Sequence, residues 1–432
     1  MLGSLNTSGT GGASSRQQQD QEEEEPSPAD LHNIIAAPAA THMRQMLISC
    51  AELVSQSDFG AAHRLRTYLT ANSSPLGDST ERLVHQFSKA LSLRLNPTFV
   101  AAAPPQYHIN VVTNNNSISN NCYSTCTVVE QESCYLSLNQ ITPFIRFSHL
   151  TANQAILEAL QVGQQAIHIL DLDIMHGLQW PPFMQALSDR SQCSQPPPML
   201  RITGGGHDLT TLHRTGERLL KFAQSLGLTF QFQPLVLLNV NDLDLILSSL
   251  SLLPDETLAV NCVLYLHRLL LKDRDSGSSK VEDLRLFLRK IKALNPRVVT
   301  VAERELGNHN EAVFLRRFVE SLDHYSAIFE SLEATLPPNS RERMAVEQIW
   351  FGREIAEMVA GEGERHQRLE WWETMLRSSG FVNVPLSPFA LSQAKLLLRL
   401  HYPCEGYQLH THNNSFFLAW QNRPLFSVSS WR

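Results

Sequence analysis

The chain has 432 residues and a formal net charge of −7, with 43% of its residues hydrophobic and 18% charged. That length allows one large domain or two ordinary ones, and the apolar share supports a real core. The acidic balance, with no dense Lys/Arg block, argues against strong autonomous DNA binding, because phosphate contacts dominate such affinity.

Residues 1–40 read as a disordered low-complexity tail. The first thirty or so are Gly, Ser, Gln and Glu, including the run Glu22 to Glu25, and cannot bury enough surface to offset chain entropy. They also lack the basic start and apolar stretch of a secretory signal. No apolar run elsewhere approaches the ~20 residues a membrane helix needs, so no membrane partner is expected. Met43, Met46, Leu47, Cys50, Leu53 and Val54 then form an i, i+3, i+4, i+7 stripe, which predicts an amphipathic helix. Asp58 can cap a second helix, and Asp78 with Glu81 resembles a capping box opening a third, which stops before Pro97. A helical cap over 41–100 is the result. The stretch 101–121, with Pro104-Pro105 and many Asn, reads as a loop or insertion.

From residue 142 the pattern changes. Thr142-Pro143 starts one helix, and Thr151 with Gln154 can cap another that ends near Gly163. The β run Ala166 to Asp171 follows, then runs at Met199 to Thr203, Leu228 to Phe232, Leu258 to Leu264 and Arg297 to Ala302. Helical patterns such as Leu209 to Leu226 and Val281 to Leu294 separate them. Alternating βα units predict a parallel sheet covered on both faces. A helix around Ser387 to Leu400 leads to two late strands, Gly406 to His410 and Phe416 to Trp420, joined as a β-hairpin through Thr411 to Ser415. The fold class is α/β: a Rossmann-type, class I methyltransferase-like doubly wound sheet over 142–432, with a C-terminal hairpin and an N-terminal helical cap.

In such a sheet, ligands bind beyond the carboxyl ends of the strands. Asp171, Asp173 and Gly177 follow the first strand there, but Ile174 and Met175 are bulky where a cofactor turn needs small residues. Gly204, Gly205 and Gly206, followed by Asp208, could face an anion; the ordinary reading is a strand-to-helix turn. Glu303 and Glu305 could face the same crevice, or cap loops, or pair with Arg304-type neighbours. His168, inside the first strand, reads as a hydrogen-bonded core residue rather than a base. Leu266, Leu269 and Leu270 fit an LxxLL docking pattern, although buried leucine is the ordinary case. Seven scattered cysteines suggest a reducing compartment. Cys122, Cys126 and Cys134, with His108 upstream, match no common zinc spacing. No nucleophile–base pair is evident, and no catalytic residue, metal or cofactor is expected.

Several of these segments resemble the plant GRAS family of transcriptional regulators. Ile167-His168-Ile169-Leu170-Asp171 is similar to its VHIID motif, and Gly177 to Pro181 with Ala186-Leu187 continue it in order. Leu200 to Gly204, Ser74 to Asp78 with Arg82-Leu83, and Pro296, Val299 to Glu303, Phe329 and Phe351 to Ile355 match further regions. Gly380-Phe381, Trp420 and Ser429-Ser430-Trp431 resemble the terminal SAW region, with Ser430 where the family usually has Ala. The resemblance covers 41–432, apart from an Asn-rich insertion near 106–121. No DELLA-type motif precedes it, and the compact layout looks like the lateral suppressor branch. The resemblance implies a nuclear, non-enzymatic regulator in axillary meristem formation and shoot branching. It would act through other transcription factors or co-regulators, as a homo- or heterodimer in some cases. A cap insertion would fall near 310–345, and a cap–core groove could hold DNA, peptide or a small molecule. The alternatives are an S-adenosylmethionine-dependent small-molecule methyltransferase and direct DNA binding in that groove.

Overall fold

A computed structural model describes residues 28–96, 128–161, 163–191, 197–237, 250, 252–253, 256–270, 280–307, 313–360 and 366–432. The Asn-rich segment, His108, Cys122 and Cys126 lie outside these. Met1–His42 and Met43–Arg432 form two separate compact units.

Three helices open the chain: α1 (Pro28–Ser55), α2 (Phe59–Ala71) and α3 (Ser79–Leu95). The first begins at Pro28, well ahead of the stripe that predicted it. Asp58 accepts from the Ala61 N–H, and Asp78 with Glu81 forms a reciprocal capping box that fixes the start of α3. A helix not foreseen, α4 (Val128–Ile141), precedes α5 (Phe144–Ala159). Thr151 sits inside α5 rather than at a second start, because its neighbours continue the buried stripe Phe147, Ala152, Ala155, Ile156.

The sheet then runs β1 (Ala166–Asp171), α6 (Trp180–Ser191), β2 (Met199–Gly206), α7 (Leu209–Ser225), β3 (Phe230–Val236), β4 (Glu256–Val263), a 3₁₀ turn (Leu266–Leu270), α8 (Lys280–Ala293) and β5 (Val298–Arg304). Next come α9 (Phe314–Thr335), α10 (Arg341–Ala345), a π-helical turn (Val346–Phe351), α11 (Gly352–Ala360), α12 (Leu369–Ser378), β6 (Asn383–Val384) and α13 (Pro388–His401). Strands β7 (Tyr407–His412), β8 (Ser415–Trp420) and β9 (Arg423–Trp431) end the chain. The spatial order is β3-β2-β1-β4-β5-β9-β8-β7, with β6 on β9. β1 to β5 are parallel, and β9 is antiparallel to both β5 and β8. The expected hairpin is present as β7–β8, but a third late strand, β9, joins it to the parallel half.

One sheet face carries Ile167, Ile169, Ala259 and Val298 under α5, α6 and α7, continuing into Ala302, Phe426 and Val428. The other carries Leu170, Val260, Cys262, Val299 and Val301 against α8 and α12. α3 packs on α2, α9 and α11, so helices from the later part of the chain lie against the amino-terminal ones. Where a cap–core groove was expected, one apolar cluster runs from Leu47 and Phe87 through Phe318 and Phe351 to Phe144 and Phe426. The stripe of α1 belongs to it: Leu47 and Cys50 are fully buried. Leu47 and Cys50, with Leu53 against them, therefore pack within the domain's own core rather than forming an open face.

Candidate functional site

The carboxyl edge of the sheet is built around Asp171. Parallel register sets Asp171 opposite Asn261, and Asn261 opposite Thr300, so three polar side chains line one row across β1, β4 and β5. Asn261 Nδ2 donates to Asp171 Oδ1 (3.0 Å) and to Gln179 Oε1 (3.0 Å). Gln179 Nε2 donates back to Asn261 Oδ1 (3.0 Å) and to Asn153 Oδ1 (3.1 Å). Thr300 Oγ1 donates to Asn261 Oδ1 (3.0 Å), and Trp180 Nε1 to Asp171 Oδ2 (2.8 Å). All six residues are buried. Each donor finds an acceptor, which is what a polar network in low dielectric requires.

Burial pushes the Asp171 carboxyl up to about 7, against the hydrogen bonds from Asn261 and Trp180 that favour its ionised form. The folded chain thus holds this proton more tightly than the unfolded chain. That contribution to stability is complete below the ordinary value of 3.8 and is lost as the pH climbs towards about 7. The stability of the native sequence relative to Asp171→Asn, measured by urea titration, is expected to fall across that window. Groups shared by both proteins cancel in the difference.

The glycines beyond β2 serve the chain's own backbone. The segment after β1 folds over them: Ile174 N donates to Gly205 O at 2.9 Å. A Cβ on Gly205 would stand 2.4 Å from the Leu172 carbonyl oxygen, and one on Gly204 would meet Phe232 and Ile174 at under 3 Å. Gly177 has φ +65° and lies against Thr215 and Leu219, so the positive φ of a tight turn accounts for it. The space in which Gly204, Gly205 and Gly206 were to meet a ligand is thus filled by Leu172 and Ile174, with Leu212 against Gly206. Gly205→Ala is expected to cost about 1–3 kcal/mol through overpacking, read as a lowered denaturation midpoint.

The residues 43–432 match the GRAS domain family. The chain belongs to the GRAS family. Among its relatives, Scarecrow-like protein 18 of Arabidopsis thaliana is 54% identical over 90% of this chain and 91% of its own length. Protein MONOCULM 1 of Oryza sativa subsp. japonica is 44% identical over 90% and 88%. These two place the chain in the lateral suppressor branch, among regulators of transcription and plant development. A crystal structure of SCL7 in Oryza sativa superposes with a TM-score of 0.71 at 34% identity, covering 90% of this chain and 99% of that one.

Within this GRAS domain, the VHIID-type strand is structural along its length. Ile167, Ile169 and Leu170 are fully buried. His168 Nε2 lies 2.8 Å from Thr203 Oγ1, and Nδ1 lies 3.5 Å from Glu256, which Arg201 Nε also reaches at 2.8 Å. Burial, with Arg201 nearby, lowers the His168 imidazole to about 4. The SAW-type residues sit on β9: Ser429 opposite Val301, Ser430 opposite Thr300, Trp431 opposite Val299. Trp431 is fully buried, and its Nε1 donates to Ser429 Oγ at 2.9 Å. Leu266, Leu269 and Leu270 are 0–2% exposed in the 3₁₀ turn, so they pack on β4 and α8 and are not presented to a partner. Their burial agrees with the ordinary reading of the LxxLL leucines and speaks against the docking one.

Asp173 and Glu303 meet the same turn from two sides. Arg268 pairs with Asp173 at 2.7 Å, and His267 Nδ1 lies 2.8 Å from Glu303 Oε2. Burial raises Glu303 to about 7. Arg304 does not pair with Glu303 or Glu305, because successive strand residues face opposite sides. It forms a buried two-pronged pair with Glu354 of α11, and Tyr325 Oη donates to the same carboxylate at 3.0 Å. Arg82 of α3 likewise meets Glu347 at 2.9 Å and donates to Gly77 O at 2.6 Å. Sequence reasoning missed Asn153, Gln179, Asn261, Glu347, Glu354 and His366 as interacting groups. Two surface depressions lie elsewhere, one beside β7 around Lys395, Arg399 and Tyr407, the other at the amino ends of the strands around Glu256 and Arg297. Among the described residues no helix is long and apolar enough to cross a membrane.

Proposed function

We propose that this chain is a nuclear transcriptional regulator that works through protein contacts, catalyses no reaction, and acts in axillary meristem formation and shoot branching. Its partners are other transcription factors or co-regulators, with homo- or heterodimers among them. The observation that carries the non-enzymatic part is the Asp171 row. At the edge where a methyltransferase-like sheet would receive its cofactor, both oxygens of this carboxylate accept from Asn261 and Trp180. The glycines that would admit a nucleotide are covered by Leu172 and Ile174. The DNA-groove reading is disfavoured by the net charge of −7 and by the apolar contact between cap and sheet. Support for partner contacts comes from α13, where Phe389, Leu396 and Leu400 stand 47–60% exposed, apolar surface of the kind an interface covers.

Two measurements test this. Calorimetric titration with S-adenosylmethionine is expected to give no binding heat at millimolar ligand; a saturable heat abolished by Gly205→Val would restore the enzyme reading. Chromatin immunoprecipitation from plant nuclei is expected to show occupancy at defined loci, and uniform background would remove the regulatory reading.

A further inference from the structure

On the sheet face opposite the Asp171 row, three side chains from separate elements converge. His267 lies on the 3₁₀ turn after β4, Glu303 near the end of β5, and His366 in the approach to α12. One ligand atom from each lies within 4.8 Å of the other two, and all three residues are buried. The two imidazole rings have centroids 4.5 Å apart at 31°. The Glu303 carboxylate is already oriented, since the His267 N–H donates to its Oε1 at 3.3 Å while His267 Nδ1 lies 2.8 Å from Oε2. Arg268 and Arg304, whose charges act on His267, each face another carboxylate: Arg268 pairs with Asp173, and Arg304 with Glu354.

We propose that His267, Glu303 and His366 form a binding site for a zinc ion. Two imidazoles and one carboxylate are a donor set that zinc accepts, whereas calcium and magnesium prefer oxygen ligands alone. Zinc bonds of about 2.0–2.2 Å in a tetrahedron place ligand atoms roughly 3.3 Å apart. The 2.8 Å edge between His267 and Glu303 therefore opens slightly, and the longer edges, all within 4.8 Å, close by side-chain rotation. Three protein ligands leave a fourth position, which water fills. Because the ligands belong to three elements, the ion would tie the β4 turn and the lead into α12 to β5. Its effect would be structural, stabilising the folded chain in proportion to the logarithm of free zinc over Kd.

This site stands independently of the regulatory reading. The test uses the full chain, stripped of metal by dialysis against a chelator and then equilibrated with zinc chloride or cobalt chloride alone. The expected result is one zinc per chain at micromolar metal, with a thermal midpoint that rises as zinc is added. Cobalt should give the visible bands of a four-coordinate nitrogen/oxygen site, without the sulfur-to-metal charge-transfer band that thiolate ligation would produce. Glu303→Gln and His366→Asn should each weaken zinc binding by about 10–100-fold or more, since even outer-shell partners of a metal carry effects of that size. The proposal fails if no zinc is retained at micromolar metal, if both variants retain it undiminished, or if the sulfur band appears. Should either variant fail to fold, the cobalt spectrum of the unaltered chain decides alone.

Discussion

Replacing Arg304 by Met is expected to lower the unfolding free energy by about 3–5 kcal/mol, because it strands the buried Glu354 carboxylate. Arg304 leaves β5 on the cap side and meets Glu354 with both terminal nitrogens, while Tyr325 closes the third side. Arg304 and Glu354 are both near 5% exposed, so water cannot replace the lost partner. The guanidinium holds Glu354 below its usual carboxylate range in spite of burial. A depressed folded value means that this stability is present above the unfolded value and is lost only as the pH falls through the folded one. The single substitution should therefore cost most at neutral pH. The double variant Arg304→Met with Glu354→Leu should recover most of the loss, since an apolar pair of similar volume removes both desolvation costs at once. Urea titration with an unchanged slope would read both numbers. A single variant as stable as the native chain would show that this pair does not join cap and sheet.

The elements that periodicity reports were legible in the chain itself. The run Ala166 to Asp171, the stripes of α3, α7 and α8, and the Asp78–Glu81 box all lie where local pattern places them, because each depends on neighbours within a few residues. Strand β9 was harder to see. Ser429-Ser430-Trp431 is recognisable as a motif, but the place of its strand between β5 and β8 follows from pairing with a strand more than a hundred residues earlier. The same distance hides the site. Asn261 is 82 residues from Gln179 and 90 from Asp171, and Arg304 is 50 from Glu354, so no spacing rule links them. The LxxLL pattern allowed two readings for a related reason: at the exit of a central strand, leucines that could dock in a groove also belong to the apolar cluster that holds Val260 and Leu284. The steric expectation at Ile174 and Met175 had a firmer footing, since bulk in a turn is a local property. Met175 lies at φ +48°, and Ile174 bonds back onto Gly205.

Trp180 offers the second large effect, and a way to separate shape from hydrogen bonding at the Asp171 row. Its ring is fully buried in the cluster formed by Phe183, Ile174 and Ile202, and its edge meets Phe183 at 5.7 Å and 86°. Trp180→Ala should cost about 3–5 kcal/mol from lost burial and the cavity left behind. Trp180→Phe keeps most of the apolar contact but removes the indole N–H, so Asp171 Oδ2 loses its donor. That step alone should cost about 1–3 kcal/mol, the penalty of an unsatisfied buried acceptor. Removing a bond that favours the ionised form should also raise the Asp171 carboxyl further above about 7. The Phe variant should therefore lose more stability at pH 8 than at pH 5, where the carboxyl carries its own proton and the missing donor matters less. Denaturant titrations of the Phe variant at the two pH values give the comparison. An equal loss at both would mean that the ring is held by packing alone and that Asp171 does not depend on it.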